Sequence, residues 1–425
     1  MKTFTIVNLG CKVNAYEADA IAQKLEERGY ERSEDGEITL IFTCAVTDHA
    51  AAKSRQALHR AVKNHPDGIV VCAGCYTQID AEALSQAQIL VGTAHKKDIP
   101  QYLDDYLVHQ ERIEALDSLE QASFDDLSLK QFDDHARGFL RIQDGCNQFC
   151  TYCIIPYARG RERSMSPDKV IAQARTLAQH HKEIVLTGIH TGRYGKEYGV
   201  SLAKLMERIL NEVPELKRIR ISSIEMNEVD DDLIALMQKE DRIAHHLHIP
   251  LQSGCDAVLS RMGRPYDTKA YYDRINSVRK AVPSISISTD LIVGFPGETE
   301  EEAGETEAFL KQCRFSFLHV FPYSLRKGTR AADLPCQVSP AVKKQRAESA
   351  RKISQDLQDD YINSCLGMQE ILIMEARYQG EYTMGHTGNY LPVWIKGHYE
   401  RGTLVPVILK EYKDRMIYGE RSVKQ

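Results

Sequence analysis

The chain has 425 residues, 43% of them apolar and 27% charged, with a formal net charge of −6. That length allows two or three domains, and the balance excludes a disordered chain and a protein coated in basic surface, so any nucleic-acid contact must be local. Eleven cysteines behind a start with no secretory pattern point to metal or redox use rather than disulfides, in a cytoplasmic chain with no membrane span.

Residues 1–110 alternate short apolar runs with helical ones. Thr3 to Leu9, Thr39 to Thr43 and Ile69 to Ala73 read as strands; Ala15 to Arg28, stopped by Gly29, and Asp48 to Asn64 read as helices. This alternation predicts an α/β unit with a parallel, flavodoxin-like sheet. Cys11, Cys44 and Cys75 each fall just after a strand, and loops at the carboxyl ends of parallel strands converge on one edge. Residues 111–135 are acidic and irregular (Glu111, Glu114, Asp117, Glu120, Asp125, Asp126, Asp133, Asp134) and read as an inter-domain linker. Alternation returns over 136–365, with strands expected at Phe139–Ile142, Glu183–Thr187, Arg218–Ser222, His246–Ile249, Ser286–Val293 and Phe317–Phe321. Six such units predict a partial (β/α)6 barrel with its chemistry at the strand carboxyl ends. A polar helix closes this part and carries Lys343, Lys344, Arg346, Arg351 and Lys352, candidates for phosphate contacts. Residues 366–425 are β-rich and broken by glycines, which suits a small antiparallel barrel.

The most specific pattern is C-x3-C-x2-C at Cys146, Cys150 and Cys153. Three thiolates on one loop cannot all pair off as disulfides. They can hold three corners of an iron–sulfur cube and leave the fourth iron open to chelate the amino and carboxylate groups of S-adenosylmethionine. Zinc fits the spacing poorly, because zinc loops favour paired C-x2-C units and a fourth ligand. Cys255, Cys313, Cys336 and Cys365 are scattered and read as inert thiols.

The loop Arg141-Ile142-Gln143-Asp144-Gly145, the triplet and Ile154-Ile155-Pro156-Tyr157-Ala158-Arg159-Gly160 together resemble the radical S-adenosylmethionine (radical SAM) methylthiotransferase family, and the likeness spans nearly the whole chain. It implies two [4Fe–4S] clusters, one at Cys146, Cys150 and Cys153 and an auxiliary one at Cys11, Cys44 and Cys75. Phe42, where the family usually has Asn, and Met226, where it commonly has Pro, depart from the pattern. Cys72 is an extra thiol, and the Gly-Cys-Tyr context favours Cys75 as the ligand. The resemblance also implies S-adenosylmethionine contacts from Tyr152, Gly188, Ser223, Glu225, Gln252, Asp290 and Val293. A glycine such as Gly188 after a strand lets backbone approach a ligand. The run His245-His246-Leu247-His248 has the composition of a metal site, but strand alternation splits neighbours between faces, and the family reads it as scaffold.

Met384 to Val393 resembles the signature of a TRAM domain, an RNA-binding β-barrel, with His386, Asn389 and Tyr390 as candidate RNA contacts and Trp394 as a further stacking surface. Within the family the chain most resembles the type that converts N6-threonylcarbamoyladenosine, beside the tRNA anticodon, to its 2-methylthio form. The implied chemistry uses S-adenosylmethionine twice, to methylate sulfur held at the auxiliary cluster and to generate a radical that takes hydrogen from C2 of adenine. Implied partners are the tRNA anticodon loop, a one-electron donor such as flavodoxin or ferredoxin, and a sulfur source. The same chemistry on N6-isopentenyladenosine or on a ribosomal protein is the alternative, and a non-catalytic RNA-binding iron–sulfur protein is the alternative of another class.

Overall fold

The computed structural model describes residues 2–120, 122–132 and 134–422. Its N-terminal sheet is six-stranded and parallel, in the order Glu31–Arg32, Thr3–Asn8, Ile38–Thr43, Ile69–Gly74, Ile89–Val91, Ile113–Ala115. The run Ile38–Thr43 is buried at every position, as a strand covered on both faces must be. Helix Lys12–Glu27 packs Tyr16, Ile21 and Leu25 against one face, and helix Asp48–Asn64 turns Ala51, Leu58 and Ala61 inward on its own side.

The acidic stretch is not a free linker. Ile113–Ala115 adds the sheet's edge strand, and Leu127, Leu129 and Phe132 are buried in the core that joins sheet and barrel. Gln23 donates to the Gln131 carbonyl at 2.8 Å, and Gln173 accepts from the Leu129 amide. Sparse apolar residues among many carboxylates carried no periodic signal, yet each found a pocket. Asp133 lies outside the described residues.

The barrel strands form two parallel triples. Gly138–Arg141, Glu183–Thr187 and Arg218–Ile221 make one; His246–His248, Ser286–Val293 and Phe317–Pro322 make the other. The bridge Ile219 to Ile243 and the bond from the Ile224 amide to the His248 carbonyl link them. Among the described residues the outer strands, Gly138–Arg141 and Phe317–Pro322, do not pair with each other, so the arc stays open, as expected of a partial barrel. Helix Pro340–Cys365 packs against the last strand and leads into the tail.

The tail is a closed barrel of five strands, in the order Gln369–Gln379, Tyr382–His386, Pro392–Lys396, Met416–Arg421, Leu404–Lys413. Its pairings are antiparallel except one. Pro392–Lys396 runs parallel to Met416–Arg421, because the chain crosses by way of Leu404–Lys413 before closing that seam. No helix among the described residues is long and apolar enough to cross a membrane.

Candidate active site

The three N-terminal cysteines sit where parallel strands end. Cys11 caps helix Lys12–Glu27, Cys44 follows Ile38–Thr43, and Cys75 opens the short helix after Ile69–Gly74. Gly74 has φ +116, and a Cβ there would stand 2.8 Å from the Thr43 carbonyl, so only glycine lets these two strand ends approach. Asn14 donates to the same carbonyl at 3.0 Å, tying the first loop to the second. Burial, with Cys75 and Cys11 close by, pushes the Cys44 thiol up to about 11. Cys72 is different. It lies inside the strand with no exposure, among Ile41, Val70 and Leu90, and burial alone pushes its thiol up to about 12.

The second triplet lies on the loop after Gly138–Arg141, and each of its first two sulfurs meets a cation. His190 Nδ1 is 3.4 Å from Cys146 Sγ, and Arg264 Nη1 donates to Cys150 Sγ at 3.3 Å. Burial opposes a charge on His190, but Cys146 and Glu228, whose carboxylate is 2.7 Å from Nε2, outweigh it and push the imidazole up to about 10. Arg264 also pairs with Glu225. Burial pushes Cys153 up to about 12. A thiol held neutral this way becomes a thiolate ligand only when a metal takes the proton's place.

Arg159 joins the two loops. It is fully buried and donates from Nε to Cys75 Sγ at 3.2 Å and from Nη2 to Asn14 Oδ1 at 2.7 Å. Its Nη1 lies 3.0 Å from Glu17 and 3.1 Å from Asp144. Arg141 and Lys96 reach the same Glu17 carboxylate at 2.8 and 3.0 Å. Burial opposes ionisation of Glu17, and Arg159, Lys96 and Arg141 outweigh it, holding the carboxyl well below its usual range.

A cavity of about 900 Å³ opens at the barrel mouth, near the upper end of ligand-pocket sizes (about 300–1,000 Å³). Its wall draws on all three parts of the chain: Cys11 and Lys12 from the sheet, Gly188, Ser223, Glu225 and Asp290 from the barrel, and His386, Asn389 and Tyr390 from the tail. Four of the seven expected cofactor contacts therefore face one space. Tyr152, Gln252 and Val293 do not line it. Tyr152 packs with Phe295 and Tyr323 beside Arg264, and Val293 is buried in its strand. Gln252 has φ +70 and exchanges backbone hydrogen bonds with Asp290 and Ile292, so its role is in the turn. Gly188 is needed for a neighbour within the protein: a Cβ there would come 3.0 Å from the Gln143 side chain.

The expected RNA contacts divide. Asn389 has no exposure; it donates to Tyr361 Oη at 3.1 Å and takes a hydrogen bond from Thr387, so it shapes its loop rather than offering an edge to RNA. His386 pairs with Glu375 at 2.9 Å and stacks on Tyr390 at 5.1 Å between ring centroids. Tyr390 also meets His246, and the Arg137 and Arg220 guanidiniums lie over its ring. Lys343 and Arg346 on the long helix are engaged with Tyr323 and Glu298.

Sequence reasoning missed several of these residues. Lys12, His190, Arg159 and Arg264 carry no spacing signal, since their partners are distant in the chain. His246 and His248, read as scaffold, face the cavity together, and both reach Ser288 Oγ, at 3.1 and 2.9 Å. Period-two alternation puts positions 246 and 248 on one face, a signal that was present.

Three thiols on one loop, with His190 against the first sulfur and Arg264 donating to the second, are a donor set that suits the iron–sulfur cluster of the barrel. Tetrahedral zinc at about 2.3 Å from each sulfur needs sulfurs about 3.8 Å apart. Among the described residues, the single group of three potential ligands drawn within 4.8 Å is His248, Asp290 and His319, not either cysteine triplet. Hydrogen bonds from Arg159, His190 and Arg264 onto the sulfurs are the kind that orient ligands and tune a cluster.

The radical SAM superfamily model matches residues 140–310, and the model described as uncharacterized protein family UPF0004 matches residues 3–93. The threonylcarbamoyladenosine tRNA methylthiotransferase MtaB of Bacillus subtilis (strain 168) is 42% identical over 410 residues, 93% of this chain and 91% of that protein. The tRNA-2-methylthio-N(6)-dimethylallyladenosine synthase of Thermoanaerobacter sp. (strain X514) is 37% identical over 362 residues, 81% of this chain and 76% of that one. Among solved structures, the radical S-adenosylmethionine methyltransferase TsrM of Kitasatospora setae superposes with a TM-score of 0.57 at 13% identity, covering 78% of this chain and 77% of that chain, which speaks to the fold alone. With relatives this similar over nearly its whole length, the chain belongs to the radical SAM methylthiotransferase family, and its central domain is of the kind that carries a [4Fe–4S] cluster and takes S-adenosylmethionine.

Proposed function

We propose that the protein adds a methylthio group at C2 of N6-threonylcarbamoyladenosine, beside the anticodon of tRNA. It uses one cluster at Cys146, Cys150 and Cys153 and a second at Cys11, Cys44 and Cys75. The observation that carries the reading is the shared cavity: a residue of each expected centre's surroundings, Cys11 on one side and His190 against Cys146 on the other, lines the same space as the tail loop. No side-chain base can remove a ring C–H, and the barrel cluster with S-adenosylmethionine, when bound, supplies the radical chemistry for that step.

The chain's own residues prepare the space. Arg264 donates to Cys150 while holding Glu225 at the cavity wall. Arg159 donates to Cys75, and its buried ion pairs hold the N-terminal helix against the loop of the second triplet. Walls from sheet, barrel and tail together limit water around the reacting carbon. His386 and Tyr390 present ring surface to the cavity, where a base can stack. A flavodoxin- or ferredoxin-class donor delivers the electron, and a separate source renews the sulfur.

The identity to the B. subtilis relative favours the threonylcarbamoyl substrate, and the dimethylallyl relatives define the competing one. Anaerobically reconstituted protein is given S-adenosylmethionine, dithionite and tRNA carrying either modification, and the digested nucleosides are weighed by mass spectrometry. A methylthio product from threonylcarbamoyladenosine is expected. Product from the isopentenyl nucleoside alone would overturn the substrate assignment, and no product from either would overturn the activity.

A further inference from the structure

The cavity wall that faces the tail has a cation left over. The carboxylates that line it are already matched, Glu225 with Arg264 and Asp290 with His248 at 3.2 Å, and so are two outside the lining: Glu183 pairs with Arg218 and Arg220 at 3.2 and 2.6 Å, and Glu375 with Arg137 and His386 at 3.1 and 2.9 Å. Lys12 lines the same cavity and makes no hydrogen bond or ion pair with any described residue. The Arg137 and Arg220 guanidiniums lie over the ring of Tyr390, which lines the same cavity, so the wall that Lys12 shares with Tyr390 is backed by two cations. Lys12 is also the first residue of a sixteen-residue helix, whose amino end adds positive potential. A half-buried ammonium among cations is costly unless an anion arrives. Adjacency to Cys11 puts it at the edge of the expected thiolation site.

We propose that Lys12 is the specificity residue that receives the carboxylate of the substrate's N6 threonylcarbamoyl group. This rests on the substrate reading given above. Of the two modified adenosines that the relatives' names bring into question, the threonylcarbamoyl one ends in a carboxylate and the dimethylallyl one in hydrocarbon. A charge-assisted hydrogen bond to the first leaves Lys12 satisfied; the second leaves it buried and unpaired, which is how a polar site rejects an analogue.

The test measures dissociation constants of the reconstituted holoprotein for an anticodon stem-loop RNA carrying N6-threonylcarbamoyladenosine and for the same RNA with that carboxylate methyl-esterified, without S-adenosylmethionine. The parent is expected to bind the acid about 10- to 100-fold more tightly than the ester. Lys12→Met, compared at matched iron content, should bring that ratio to within about twofold, and Lys12→Arg should keep most of it. Equal binding of acid and ester by the parent overturns the proposal. So does Lys12→Met that weakens both RNAs equally, the mark of a phosphate contact, or that changes neither, as expected if Lys12 served the carboxylate of S-adenosylmethionine. Failure of the substrate reading shows separately, as a parent that makes no methylthio product from threonylcarbamoyladenosine.

Discussion

Cys72 and Cys75 stand close in sequence, and their surroundings part them. Cys72 points into apolar packing, whereas Cys75 accepts from Arg159 at a strand end beside Cys44. Both thiols are buried, but a ligand needs a charge that stabilises its thiolate, and of the two only Cys75 has a cation against its sulfur. Reconstituted parent should hold about eight irons per chain; Cys75→Ala should hold about four and Cys72→Ala about eight. Iron assay with electron paramagnetic resonance distinguishes them, and a Cys72→Ala protein that lost half its iron would reverse the assignment. Sequence context was enough to prefer Cys75. Arg159, which lies in a different domain from it, was beyond the reach of spacing.

At the scale of elements, the first helix is held to the barrel by charge. Glu17 on Lys12–Glu27 gathers Arg141, Arg159 and Lys96, and Glu183 at the start of its strand gathers Arg218 and Arg220. Burial opposes ionisation of Glu183, and the two arginines outweigh it, bringing the carboxyl down to about 2. A carboxyl depressed in the folded state adds stability above its unfolded value near 4.5 and loses it as pH falls toward the folded one. Urea midpoints should therefore be level from pH 7 to about 5 and fall steadily below about 4.5. Glu183→Gln should make the protein less stable at pH 7 and should flatten part of that acid slope. An unchanged slope would mean that the carboxyl is not depressed. These networks were illegible in sequence because each pairs residues that stand far apart in the chain.

At the scale of the molecule, the tail is clamped onto the barrel by two arginines of one strand, Arg218–Ile221. Arg218 donates to the Ile371 carbonyl at 2.6 Å, and Arg220 donates to Gly388 and Thr387 at 3.0 and 3.1 Å. This brings the Tyr390 loop to the cavity mouth, so the tail completes a wall as well as presenting a surface. Arg220→Ala removes two carbonyl contacts and leaves Glu183 with one arginine, a cost of about 3 kcal/mol. Amide exchange in Tyr382–His386 and Pro392–Lys396 should then quicken by about 10-fold or more, while Ile38–Thr43 stays protected. Equal loss of protection in both regions would mean that tail and sheet unfold as one unit.

The sequence by itself determined the strand and helix order of the sheet and barrel, the position of each cysteine after a strand, and the family. Those properties are local: apolar period, turn residues and motif spacing are written in neighbouring positions. Only the tertiary structure decided that the acidic stretch packs as part of the core, that one seam of the tail runs parallel, that Asn389 turns inward, and that Lys12, His246 and Tyr390 share a cavity. Each of these depends on which distant groups are left to satisfy a buried charge or fill a gap, and burial and pairing are settled by the whole fold rather than by sequence neighbours.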